Sequence, residues 1–154
     1  MAIYYSAEAT IDNSPSATTR RKAEDKLPVF RYLIANYTSL GTEVATEAIH
    51  MIKVPAGTTI IPELSYIEGA SGLATAYTVD IGYYTTATTP VAIDINEWGT
   101  AVDIDTATKA VFAIVPVPAT KTTVESWISL TGATVTTPIA GQIITMYLAV
   151  NMPY

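Results

Sequence analysis

Apolar side chains recur along this chain at every second position, in runs of roughly ten residues. The clearest run places Tyr77, Val79, Ile81 and Tyr83 on one side and Ala76, Thr78, Asp80 and Gly82 on the other. Successive side chains of a strand point to opposite faces, so a period of two with one apolar side predicts a half-buried strand. Val124, Ser126, Ile128 and Leu130 repeat the pattern, as do Ile144, Met146, Leu148 and Val150. Eight strands are predicted in all, over 29–38, 44–54, 58–68, 74–84, 91–95, 109–117, 123–131 and 142–151. In the first, Phe30, Tyr32 and Ile34 share a face, although 31–37 also fits a helix. Pro62 predicts an edge position or a bulge inside the third.

The punctuation between these runs is that of tight turns. Pro55 fixes one φ and Gly57 supplies a positive φ without a Cβ clash, which predicts a turn at 55–57. A second falls at Gly69-Ala70-Ser71-Gly72, so 54–84 reads as a hairpin-like pair of strands. No amphipathic stretch of helix length separates the strands, which sets a parallel βαβ architecture aside. Turn signals at this spacing belong to a sandwich or barrel. The expected fold is all-β: a single antiparallel β-sandwich of about eight strands over 29–154, jelly-roll-like. An immunoglobulin-like sandwich is the alternative.

Residues 1–28 break the pattern. Asn13 to Thr19 has the composition of a linker, and Arg20-Arg21-Lys22-Ala23-Glu24-Asp25-Lys26 follows, a short helix candidate capped by Thr18 or Thr19 and stopped by Pro28. This stretch is expected to be an N-terminal arm, partly flexible or ordered by a partner, since chain ends are loose unless tied down. Arg20, Arg21 and Lys22 are its candidate partner-binding residues, suited to an acidic surface.

Composition narrows the picture. Only 14% of residues are charged while 49% are hydrophobic. A Thr- and Tyr-rich surface of that kind suits contact with other subunits. The net charge of −6 is uneven: acids and bases balance up to residue 53, and beyond it eight acids face Lys109 and Lys121 alone. An acidic body argues against nucleic acid as a partner. There is no cysteine, so disulfides, thiolate metal sites and a cysteine nucleophile are excluded. The first residues lack a basic and then apolar leader pattern, and no apolar run is long enough to span a bilayer. The expectation is a soluble protein made in a cytoplasm, with no membrane partner.

Candidate chemistry is sparse. His50, the one histidine, sits inside a predicted strand and reads as a structural or surface residue. No phosphate loop, nucleophile elbow or zinc-protease motif occurs. Asp94, Asn96, Gly99 and Asp105 fall at the first, third, sixth and twelfth places of a calcium loop. Trp98 at the fifth place, the missing final Glu and flanking strands all spoil the match. The stretch is expected to be a solvated acidic loop anchored by Trp98, with loose calcium binding or a glycosidase-like carboxylate pair as sharper readings. Tyr83, Tyr84 and Trp127 are candidate contact residues, for a protein partner or for sugar rings. No cofactor and no catalytic residue is assigned.

Three stretches carry a resemblance: Ile52 to Leu64, Gly72 to Tyr84, and Ile128 to Thr134. Within a pattern of strands and turns spanning roughly 49–150, they resemble small virion structural proteins of tailed bacteriophages, which include capsid decoration (auxiliary head) proteins. The resemblance implies a non-enzymatic shell component located in the virion. It implies a homo-oligomer, with a trimer favoured, whose partner is the major capsid protein or another virion protein. It transfers no functional residue. The alternative is a glycan- or receptor-binding β-sandwich module of a phage head or tail fibre.

Overall fold

The computed structural model describes residues 3–5, 7–8, 29–70, 72–105, 109–113 and 122–153. Eleven strands are seen among them: β1 (Ile3–Tyr5), β2 (Ala7–Glu8), β3 (Val29–Thr38), β4 (Ala48–Val54), β5 (Thr59–Ile60), β6 (Tyr66–Glu68), β7 (Ala76–Thr85), β8 (Ala92–Asp103), β9 (Lys109–Val111), β10 (Ser126–Thr136) and β11 (Ile143–Met152). They form two sheets, ordered β1-β4-β10-β7-β8 and β2-β3-β11-β6-β9, with β5 also paired to β11. All pairs are antiparallel except β1 with β4.

This interleaving is that of a jelly roll. If β5 and β6 are counted as one interrupted strand, the eight strands from β3 onward order themselves 2-7-4-5 in the first sheet and 1-8-3-6 in the second. The interruption is the short 3₁₀ turn Pro62–Leu64. It lies where Pro62, lacking an N–H, was expected to disturb the strand. The stretch 54–84 is not a hairpin, however. β6 belongs to the second sheet and β7 to the first, so the turn after Glu68 crosses the sandwich.

The two inner faces meet in one core. Tyr77, Val79 and Ile81 of β7, Ile128 and Leu130 of β10, and Ile144, Met146, Leu148 and Val150 of β11 are all buried there. In β3 the inward residues are Leu33, Ala35 and Tyr37. Phe30, Tyr32 and Ile34 do share a face, and it is the outer one. β1 and β2 attach to β4 and β3, on the same side of the two sheets. The arm expected over 1–28 is thus described only at these two strands; Arg20, Arg21 and Lys22 lie outside the described residues.

Two local arrangements hold the frame. The 55–57 turn forms as expected, with Gly57 at φ 83°. Thr122 locks it: its hydroxyl donates to the Pro55 carbonyl at 2.8 Å and accepts the Thr58 N–H at 3.1 Å. The β3–β4 connection closes around Glu43, a carboxylate only 3% exposed. Oε1 accepts from the Tyr37 hydroxyl (2.7 Å) and the Leu40 N–H (2.6 Å), and Oε2 from the Ser39 hydroxyl (3.0 Å) and the Gly41 N–H (3.0 Å). Burial pushes the Glu43 carboxyl up, but these donors outweigh it and hold the group below its ordinary value.

Candidate interaction surfaces

The acidic stretch was expected to be a loop, and it is instead most of β8. Two residues of β7 span five steps of β8, because Ile81 pairs with Gly99 and Tyr83 with Asp94. The surplus bulges, and bulges re-aim side chains. Trp98 turns inward to 1% exposure, its ring 5.4 Å from Tyr83 and 6.2 Å from Phe112. Trp98 therefore anchors the stretch as expected. Its indole Nε1 has no hydrogen-bond partner among the described residues, so the anchoring is by apolar contact. The backbone of Asp94 and Ile95 folds so tightly over Gly82 that a Cβ there would lie 2.1 Å from the Asp94 carbonyl oxygen.

Four carboxylates of this region serve the backbone. Asp94 accepts from the Asn96 N–H, Asp103 from the Asp105 N–H, Asp105 from the Tyr77 N–H and Asp80 from the Ala101 N–H. Among the described residues no three His, Cys, Asp or Glu side chains converge to hold a metal ion. Glu97 is held above its ordinary value by burial, and next by the charge and hydrogen bond of Asp94.

The outer face of the first sheet gathers two of the sequence candidates. Trp127 pairs across the strands with Tyr84, and Ser129 of the next row pairs with His50. The His50 ring stacks on Trp127 at 5.8 Å and meets Tyr84 edge-on at 5.2 Å, while its Nδ1 lies 2.7 Å from the Ser129 hydroxyl. Burial drives the imidazole pKa down to about 4, so His50 is neutral at pH 7. Tyr84 is 4% exposed and its hydroxyl lies 2.9 Å from that of Thr131. Trp127 is half-buried, and Tyr83, one residue from Tyr84, points to the opposite side of the sheet against the core.

The outer face of the second sheet holds residues that were not singled out as a site. Strand registers set Ile34, Tyr147, Tyr66 and Val111 side by side across β3, β11, β6 and β9. Beside that apolar row runs a polar one: Asn36, Thr145, Glu68 and Lys109. On its other side stand Tyr32, Phe30 and, from the 3₁₀ turn, Leu64, whose carbonyl accepts the Tyr32 hydroxyl at 3.3 Å. Tyr66 and Tyr147 stack at 4.4 Å, and the Lys109 ammonium sits 3.5 Å from the Tyr66 ring centre. Burial, then the hydroxyl of Tyr66, pushes Tyr32 up to about 12. The signal for this face was present in the sequence, because β3 is apolar on both sides, as strands covered on both faces are.

No protein family matches the chain in sequence, and no curated protein does. Its architecture does have relatives. A chain of the capsid of Ralstonia phage GP4 superposes with a TM-score of 0.70 over 99% of both chains, at 14% identity. A chain of the Cyanophage Pam1 capsid asymmetric unit gives 0.56 over 94% of this chain and 99% of that one, at 12% identity. The fold is one built into phage capsids. At these identities the backbone arrangement is what is shared, and function must be argued from surfaces.

Proposed function

We propose that this chain is a non-enzymatic structural protein of a phage virion, a decoration or stabilisation protein that assembles as a homo-oligomer on the head. The observation that carries this is the end-to-end match, 99% of both chains, to a chain of a phage capsid. The surfaces support it. His50 is held neutral inside an aromatic cluster, and Asp80, Asp94, Asp103 and Asp105 around β8 each accept a backbone N–H. What the molecule presents outward is apolar and aromatic sheet surface, which suits subunit contact. Its partners in this reading are the major capsid protein and copies of itself, with a trimer favoured by the family resemblance. The arm of residues 1–28, with Arg20, Arg21 and Lys22, reaches an acidic patch on a neighbour, and Trp127 is the contact candidate within reach of a partner. Synthesis takes place in the host cytoplasm and residence is in the virion.

Sugar-ring binding needs a free aromatic face. On the second sheet Tyr66 has Tyr147 stacked on it and Lys109 over its ring, which weighs toward protein contact. The test is co-sedimentation of purified protein with shells of its own phage lacking it, followed by imaging of the labelled protein on particles. Saturable binding with a fixed number of copies per shell is expected. A protein that never associates with shells, or that binds a defined glycan and loses it on Trp127→Ala, overturns the proposal.

A further inference from the structure

The outer face of the second sheet has an order that a general sticky patch lacks. We infer that it docks a second copy of the same chain, sheet against sheet, about a two-fold axis running along the strands between β11 and β6.

Area is the first reason. Phe30, Tyr32, Ile34, Leu64 and Val111 are each 41% to 53% exposed. Together they present on the order of 400 Å² of mainly apolar surface, taking roughly 200 Å² for each aromatic side chain and less for the aliphatic ones. That is already the size of the largest apolar patch on many monomers, and such patches mark contact sites. With the half-buried tyrosines and the polar row the face reaches on the order of 700 Å², close to the roughly 800 Å² per partner of a stable interface.

Charge is the second reason, and it selects the occupant. The chain is strongly acidic overall, yet the two ordered rows carry one acid, Glu68, and one base, Lys109. An axis along the strands reverses each row on the facing copy. The apolar row then lies on itself, Ile34 against Val111 of the partner subunit and Tyr147 against Tyr66 of the partner subunit. In the polar row Lys109 meets Asn36 of the partner subunit, and Glu68 meets Thr145 of the partner subunit. Each charge faces a neutral hydrogen-bonding group and no like charges oppose. Self-complementarity of this kind is what a two-fold contact requires. Aligned face-to-face packing is also the ordinary way two sheets meet. The ring faces of Tyr66 are taken, so the tyrosines offer edges, which interdigitate with a facing row.

The pairing needs nothing from the virion reading, and a threefold contact through other surfaces would build on the pair. The test is sedimentation equilibrium of the full chain, wild type and three folded surface variants verified by circular dichroism. Wild type is expected as a dimer or an even multiple. Ile34→Lys should weaken the pair by at least ~10-fold, by placing a charge in the apolar row. Asn36→Lys, opposite Lys109 of the partner subunit, should weaken it several-fold, whereas Asn36→Glu should tighten it. A monomeric wild type, an odd-numbered assembly, or an oligomer indifferent to all three variants overturns the inference. If a monomer still binds shells, the face inference fails and the virion role stands; if an even-numbered assembly never binds shells, the reverse holds.

Discussion

Replacing Glu43 by Gln tests how the β3–β4 connection is held. The carboxylate accepts four hydrogen bonds within 3.0 Å, from two hydroxyls and two backbone N–H groups, while almost wholly buried. Glutamine keeps the shape and one carbonyl oxygen. Its amide nitrogen would face donors where Oε2 now accepts from Ser39 and Gly41. The Ser39 hydroxyl already lies 3.2 Å from the Gly41 nitrogen as an acceptor, so part of the loss can be recovered there. Hydrogen bonds to a charged group are worth about 1.5–3 kcal/mol each, and an unsatisfied buried donor costs about 1–3 kcal/mol. Glu43→Gln should therefore cost about 2 kcal/mol, and Glu43→Ala, which strands more donors, about 4 kcal/mol. Urea unfolding should show the midpoint falling with the slope unchanged. The Gln variant should melt about 4–8 °C lower for a chain of this size.

A pH series separates charge from shape at the same site. The folded-state pKa of Glu43 is depressed below its ordinary 4.5, so its contribution is complete above that value. It is lost as pH falls through the folded pKa. The gap between wild type and Glu43→Gln should thus be constant above pH 4.5 and narrow below it. A Gln variant within 0.5 kcal/mol of wild type at pH 7, or a gap that widens in acid, would refute the clamp.

Three other expectations follow from the same structure. His50 titrates at about 4 when folded and 6.5 when unfolded, so stability should be complete above pH 6.5 and fall toward pH 4 by about 3 kcal/mol, at 1.36 kcal/mol per unit. As His50 is the one histidine, proton NMR of its ring reads this directly, and an ordinary pKa near 6.5 contradicts the burial. Gly82→Ala forces a Cβ into the backbone of β8 and should cost about 3 kcal/mol or more; unchanged thermal stability would mean that β8 does not cross there. Thr122→Val removes the hydroxyl that ties the Pro55 carbonyl to the Thr58 N–H. That N–H keeps the Pro55 carbonyl as an acceptor at 3.3 Å, so the change should cost about 1 kcal/mol in chemical denaturation, with no loss counting against the locked turn.

Much of this molecule is written locally. Whether a segment is a strand, and which side of it faces in, is a property of a few neighbouring residues. The alternation therefore located β7, β10 and β11 and their core faces. Gly57 marked its turn because only a residue without a Cβ takes positive φ cheaply. Pro62 marked a break because it has no N–H to give the ladder. Trp98 was legible as an anchor because so large an apolar ring amid acids has to be buried.

Pairing is not local, and there the sequence was silent. Residues 54–84 look like a hairpin by their turns, yet β6 and β7 part into different sheets, because β6 pairs with β11 and β9 while β7 pairs with β10 and with β8 beyond it. β3 is apolar on both sides, so alternation alone could not say that Leu33, Ala35 and Tyr37 go in while Phe30, Tyr32 and Ile34 stay out. Only the sandwich, with β4 and β11 against it, made that choice. The sites share this origin. His50 meets Trp127 across β4 and β10, and Tyr32 meets Tyr66 and Tyr147 across three strands. A period of two tells a strand with one apolar side which way to face; which residues then stand side by side at these sites is set by register between strands brought together only by the fold.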